Sequence, residues 1–340
     1  MRRRERESGV VLLVVLFFAL LLFSSIATFT RRATVDAMIA RNRDAVSRAE
    51  ALARGGIRLA TALLLEDRLQ ELNSGEQIDA YTDAWFEPAG IELPAPDGAV
   101  LRVRIEDSGA HLNLNALFAE GKVRDPNNTE IFLHALFEKV IDEMPVPPGE
   151  KVYDVRELAA NLIDYVDQDQ DRLRGGPEDA YYQQQEPPYR AANRPLLSLE
   201  ELRLVEGFDA KLVNALRPYL TVHPYAGGDG VNLNTAEPHV LALLFYNDGS
   251  GHRLAPEDTV RRILDVRAGG ELICPKQDDD RGCVPVHSLI PNPIYPPATY
   301  SSNVFTLTAE AQVGDVRREF EAVIDRSQPM EPLLLSWRPR

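Results

Sequence analysis

Val10 to Ala27 reads VVLLVVLFFALLLFSSIA, 18 residues with no charge and two serines, and Thr28, Phe29 and Thr30 extend the uncharged run to 21. At about 1.5 Å per residue, such a helix spans roughly 30 Å, the thickness of a bilayer's hydrocarbon core. Arg2, Arg3, Arg4 and Arg6 precede the run. Positive charge stays on the cytoplasmic side, so the long remainder is expected outside the cytoplasm; Arg31 and Arg32 weaken that orientation without reversing it. Beyond the run, Val35, Met38, Ile39, Val46, Ala49, Leu52, Ile57, Ala60, Leu63 and Leu64 recur at spacings of three or four or near multiples of them. One helix from about residue 10 to the mid-60s is the simplest reading, with Gly55-Gly56 as a weak point. A membrane helix followed by a separate amphipathic helix is the alternative.

An ordinary secretory signal has an apolar core of ~7–15 residues and ends in a small-x-small site. The run here is longer, and Ala27-Thr28-Phe29 puts a bulky residue where a small one is needed. A short basic leader ending in Ser8-Gly9, with the apolar run starting at Val10, resembles the leader of type IV pilins and pseudopilins. That resemblance implies cleavage by prepilin peptidase between Gly9 and Val10, methylation of the new N-terminus and retention of the helix. Most such subunits carry a glutamate at the fifth mature position, which here is Val14. A carboxylate inside a bilayer is costly unless paired, and in the family it meets the N-terminal amine of the preceding subunit. Val14 therefore suits a subunit with no predecessor, at a filament tip. Val10 departs from the usual Phe or Met. Residues 1–30 alone fit a plain membrane anchor equally well.

The chain carries a net charge of −15, and residues 1–9 contribute +2, so everything beyond Gly9 carries −17. A body that acidic repels phosphate backbones, and no nucleic acid is expected as its main partner. His111, His134, His223, His239, His252 and His287 are scattered, with no H-E-x-x-H, G-x-S-x-G or phosphate-loop pattern, so no enzyme is expected. Cys274 and Cys283 are expected to pair, because disulfides persist outside the cytoplasm and two cysteines without a nearby histidine pair make a poor zinc site. The short loop they close gives at most about 2.5–3 kcal/mol of chain entropy.

Val100–Glu106 alternates as a half-buried strand. Asn303–Val313 and Val316–Asp325, separated by Gly314-Asp315, read as a hairpin. Strands at both ends with helical patterns between them suggest an α+β sheet domain interrupted by an insertion. Within about 115–290 the pattern is mostly helical: Ile131–Ile141, Val155–Val166, Leu199–Val205, Leu212–Tyr219, Val240–Phe245 and Val260–Val266. Ser198 and Glu201 predict a capping box and Gly207 a helix end. The two short helices joined around Gly207 resemble helix-hairpin-helix modules, which serve DNA or protein docking. A faint repeat, N-L-N-[AT], occurs at Asn113 and Asn232, where helix capping explains both copies. The Pro-rich tail beyond Asp325 is expected to be irregular.

The strongest local signal is Asp164-Tyr-Val-Asp167-Gln-Asp169-Gln-Asp171, followed by Gly175-Gly176-Pro177-Glu178-Asp179. Counting Asp167 as one, carboxylates fall at positions one, three, five and twelve, the spacing of a calcium loop with hard oxygen ligands. Arg172 stands where a helix-loop-helix calcium site has glycine, and Arg174 where it has an apolar residue. A solvated acidic turn is the other reading.

D-Y-V-D-x-D (164–169), G-G-P-E-D-A-Y-Y (175–182), P-P-Y-R-A-A-N-R-P-L (187–196), E-L-R-L-V-E-G-F-D (201–209) and V-N-L-N-T-A (231–236) occur in one order. With the leader, the N-terminal helix and the C-terminal hairpin, this set resembles the general secretion pathway protein K family, minor pseudopilins of type II secretion systems. The resemblance implies a pilin-like α+β fold, a long N-terminal helix packed on an antiparallel sheet, interrupted by a large helical domain with helix-hairpin-helix or SAM-like modules. The expected division is a leader (1–9), a transmembrane part (10–30), the first part of the core (31–114), the inserted domain (115–290), the C-terminal hairpin (291–327) and a tail (328–340). It implies a tip subunit in the bacterial inner membrane, its C-terminal domain in the periplasm, assembled with I-type and J-type minor pseudopilins for protein export. It also implies structural calcium in the acidic loop, with Asp164, Asp167, Asp169, Asp171, Glu178 and Asp179 as the positions that fit. Cys274 and Cys283 would lock an exposed loop containing Asp278, Asp279 and Asp280. A membrane-tethered helix-hairpin-helix DNA receptor is the competing reading, and a steep salt dependence of DNA binding would mark it.

Overall fold

A computed structural model describes residues 4–75, 77–86, 92–145, 152–225, 230–276, 282–328 and 331–340. The leader's side chains and Asp278, Asp279 and Asp280 lie outside the described residues.

Helix α1 runs without a break over Arg4–Ser74, so the single-helix reading holds and extends further at both ends. From Val10 through Asp44 every residue is exposed, and one stretch is long and apolar enough to cross a membrane. Burial begins at Ala49 and continues through Ala53, Ile57, Ala60 and Leu64, spaced three or four apart on one face. That face lies on a five-stranded antiparallel sheet: β1 (Glu92–Pro94), β2 (Val100–Asp107), β3 (Val304–Val313), β4 (Val316–Asp325) and β5 (Leu333–Pro339), adjacent in that order. The β3–β4 turn holds Gly314 at a φ of +56°, the left-handed region a tight hairpin demands.

The Gly55-Gly56 pair does not weaken the helix; it lets the helix approach the sheet. A Cβ at Gly56 would lie 2.9 Å from Leu101 Cδ1 and 3.0 Å from Ala309 Cβ, whereas one at Gly55 would meet nothing within 4 Å. The two glycines should therefore respond oppositely. Gly55→Ala is expected to stabilise the body by about 0.5–1 kcal/mol through helix propensity. Gly56→Val should destabilise it by about 1–3 kcal/mol through overpacking. Denaturant titration of the two variants checks this, and equal responses would contradict the close approach.

Two expectations fail at the C-terminal end and in the hairpin region. The tail is not irregular: Leu333–Pro339 pairs with β4 as an edge strand. Its prolines, Pro332 and Pro339, fall just before the strand and at its last residue, where an edge tolerates them. The capping box does not form. Leu199–Leu204 is a 3-10 helix with no side-chain bond at Ser198, and Glu201 instead takes Leu197 N and Arg194. The chain then turns at Gly207 (φ +94°).

Between β2 and β3 the chain leaves the sheet and builds a second hydrophobic core, separate from the α1–sheet core. Its helices are α2 (Pro126–Glu143), α3 (Val155–Val166), α4 (Ala210–Leu216), α5 (Pro238–Leu241), α6 (Glu257–Ala268) and α7 (Val286–Leu289). This region is less helical than its pattern suggests. Val240–Phe245 splits into the end of α5 and a strand, Phe245–Asn247, which lies between His252–Leu254 and Ile294–Tyr295 in a small sheet. The unbroken apolar run from Val240 to Tyr246 has no period that separates strand from helix.

The N-L-N repeat is structural, and it does more than cap. Asn113 and Asn232 each accept from the backbone N–H two residues on. The second asparagine of each copy clamps a distant backbone from both sides. Asn115 donates to Leu196 O and accepts from Leu196 N, both at 2.9 Å. Asn234 does the same with Ile273, at 2.9 and 2.8 Å. A buried side-chain amide here replaces a pair of sheet hydrogen bonds.

The two cores meet at a buried polar joint. Arg326, fully buried, donates to Asp67 Oδ2 at 2.7 Å, to Leu64 O at 3.0 Å and to Ser302 O at 3.2 Å, pairs with Asp79, and lies 4.7 Å from the centroid of the Phe305 ring. Asp107, where β2 ends, accepts from Gly109 N, Thr235 Oγ1 and Asn232 Nδ2.

Candidate metal centre

Helix α3 starts where Asp154 accepts from the N–H groups of Arg156 and Glu157, and its C-terminal residues Ile163, Asp164, Tyr165 and Val166 are all buried. It ends with Asp167 as C-cap, in extended conformation. A carboxylate at a helix C-terminus faces the negative end of the macrodipole, a position that favours a cation nearby. Gln168 N donates to Gly121 O at 2.8 Å, which pins the start of the loop. Asp169 Oδ1 accepts from Asp171 N at 2.9 Å. Gly175 and Gly176, with φ of +79° and +90°, turn the chain back, and a bridge between Asp171 and Pro177 delivers Glu178 beside the helix end.

One oxygen from each of Asp167, Asp169 and Glu178 lies within 4.8 Å of the others. Two oxygens that far apart are each about 2.4 Å from a point between them, a calcium-to-oxygen distance. Asp167 Oδ1, both Glu178 carboxylate oxygens and Asp164 Oδ2 are buried without a hydrogen-bond donor. Burial, reinforced by neighbouring carboxylates, pushes Asp167 up to about 7 and Glu178 up to about 7. Burial also raises Asp164, which is opposed by Leu173 N–H and Arg172. Buried carboxylate oxygens repelling one another, with no donor to answer them, fit a hard divalent cation.

The six predicted positions divide. Asp167, Asp169 and Glu178 converge. Asp164 sits one helical turn before Asp167, with one oxygen on Leu173 N at 3.0 Å and the other without a hydrogen bond, 3.8 Å from Arg172 Nε. Asp171 is exposed, and its backbone supports Asp169. Asp179 turns away to Ala191 N at 3.0 Å and Arg190 at 3.7 Å. Asn193 was not singled out from sequence. Its Nδ2 donates to Asp169 O at 3.2 Å, and its Oδ1 is buried without a donor. Its only sequence sign is membership of the 187–196 word; the φ of +46° that aims it inward is invisible there.

A second acidic group, Asp67, Glu71 and Asp79, also converges, but the Arg326 guanidinium pairs with all three. The cation there is the protein's own. Elsewhere, Cys274 and Cys283 form a disulfide with Cα atoms 6.0 Å apart. Val14 is exposed on the apolar half of α1.

These features define an α+β protein with one long, exposed apolar N-terminal helix and an oxygen-donor loop in its body. The family described as "Type II secretion system (T2SS), protein K" matches residues 110–225. The Type II secretion system protein K of Pseudomonas aeruginosa is 30% identical over 327 residues, covering 96% of this chain and 90% of that protein. That of Aeromonas hydrophila is 28% identical over 340 residues, covering 97% and 96%. Among solved structures, a chain of the GspK-GspI-GspJ complex from enterotoxigenic Escherichia coli superposes with a TM-score of 0.60 at 22% identity, covering 88% of this chain and 99% of that one. The chain belongs to the type II secretion system protein K family and is an inner-membrane-anchored minor pseudopilin. These matches give no support to the DNA-receptor reading.

Proposed function

We propose that this pseudopilin is the tip subunit of the pseudopilus, assembled with I-type and J-type minor pseudopilins, and that it nucleates or caps the filament without catalysing a reaction. The observation that carries this is the bulk of the excursion between Asp107 and Val304, which builds its own core beside the rod. A stacked filament of rods has no room for that bulk except at an end. Val14 supports the same place, because a subunit with no predecessor has no amine for a buried glutamate to meet. The solved relative is a complex of GspK with GspI and GspJ, which supports partners of those types here.

In this reading the body faces the periplasm. The fold is a pilin-like core holding an inserted domain, and the short helices around Gly207 are helix-hairpin-helix modules used for protein docking. The Cys274–Cys283 pair stays oxidised in that compartment. Prepilin peptidase cuts between Gly9 and Val10, and the new N-terminus is methylated. Calcium bound by Asp167, Asp169 and Glu178, with Asp164 and Asn193 as further donors, ties the end of α3 to the 178–193 segment. The metal would supply charge compensation and crosslinking, not chemistry.

Two experiments test the reading. N-terminal sequencing of the mature protein should begin at Val10; a start beyond Ala27 would contradict the anchor. Gold-labelled protein should decorate one end of each pseudopilus, and label along the length would contradict the tip position.

A further inference from the structure

Just beyond the apolar run, α1 carries Arg31, Arg32, Arg41 and Arg43 against Asp36 and Asp44. All four arginines are exposed, and none makes an ion pair among the described residues. Asp44 is already engaged by Arg48 at 2.9 Å. We propose that this arginine collar binds the anionic phospholipid headgroups of the leaflet from which the helix emerges. The proposal rests on α1 crossing a bilayer, whichever way it faces.

Three observations point to lipid and not to a protein partner. First, the arginines spread over more than half of the helix's circumference, roughly 200°. At roughly 100° per residue, Arg32 and Arg41 fall on opposite sides, with Arg31 between them and Arg43 back near Arg32. A partner helix would be met by one stripe, whereas a headgroup plane meets a crossing helix on every side. Second, helical side chains lean toward the N-terminus, here toward the membrane. Arg41 rises about 16.5 Å above Thr30, and a reach of several ångströms back brings its charge within roughly a Debye length of the headgroups. Third, the charge signs are opposed. The anionic surface that attracts the collar repels the acidic body, and the body's burial begins only at Ala49. The collar thus seats the rod at a fixed depth while the body stands off.

The test uses the full-length chain in nanodiscs of phosphatidylcholine with about one-third phosphatidylglycerol, with retained lipids counted by native mass spectrometry. The ratio of phosphatidylglycerol to phosphatidylcholine among the retained lipids should be about threefold that of the bulk mixture at low salt and return to it at high salt. R31Q/R32Q/R41Q/R43Q should remove about half of the excess, the share that R2Q/R3Q/R4Q/R6Q leaves in place. Retained lipids matching the bulk mixture in the unmodified chain would overturn the proposal. So would an excess lost only in the leader variant, or a collar variant with normal lipid retention but lost binding to other pseudopilins. Failure of the chain to enter nanodiscs would instead overturn the bilayer reading on which the proposal rests.

Discussion

Arg326→Ala is expected to destabilise the body by about 3–5 kcal/mol, measured by denaturant titration of the detergent-solubilised protein. The guanidinium is fully buried, and so is its partner Asp79. Burial drives the Asp79 carboxyl well above its usual range, and Arg326 is the main force opposing that. Alanine removes the opposing charge, leaves Asp79 without its partner, frees Leu64 O and empties the space against Phe305. The effect should be strongly non-additive: Arg326→Ala/Asp79→Ala should cost clearly less than the two single changes combined. Because the joint links α1, β4 and the entry to the inserted region, loss should appear in both cores together. A change below about 1 kcal/mol would mean that the joint is an incidental ion cluster.

Calcium is expected to raise the melting temperature by several degrees at saturating concentration, and a chelator should reverse it. Ligand at about a hundredfold over its Kd stabilises by about 2.7 kcal/mol, enough to shift a protein of this size by that much. Asp167→Ala/Asp169→Ala should abolish the response, whereas Asp171→Ala should largely keep it, since Asp171 supports the loop through its backbone. The metal-free protein should also show a pH signature. Asp167 and Glu178 are raised to about 7, so the native state holds protons that the unfolded chain, with carboxylates near 4, has released. Stability from these groups is therefore present at low pH and lost as pH rises from about 4.5 through 7. Calcium displaces those protons and should remove that loss, so the metal response should be larger at pH 7.5 than at pH 5.5. An identical calcium response in the Asp167→Ala/Asp169→Ala variant would place the metal elsewhere.

The rod, β2 and the β3–β4 hairpin were legible because their periods are long and clean. The α3 helix was read to the residue because its apolar face ends abruptly at the acidic run. The loop's spacing identified Asp167, Asp169 and Glu178, but spacing could not separate them from Asp171 and Asp179, whose directions depend on the turn at Gly175-Gly176. Glu201 illustrates a local signal overridden by tertiary structure: its carboxylate turns to Leu197 and Arg194, and the expected capping box is lost. Arg326 was unreadable in advance, because its partners Asp67, Asp79 and Ser302 are brought to it only by the packing of α1 against the sheet. Asn115 and Asn234 stand in a visible repeat, but their clamps on Leu196 and Ile273 join residues far apart in sequence.

The tip position is tested most directly by mixing the purified protein with I-type and J-type minor pseudopilins and weighing the product by mass photometry. One copy of each subunit in a closed complex that adds no further copy of this chain is the predicted result. An acidic body that stays apart from both partners, or a chain that adds repeatedly along a growing fibre, would contradict it.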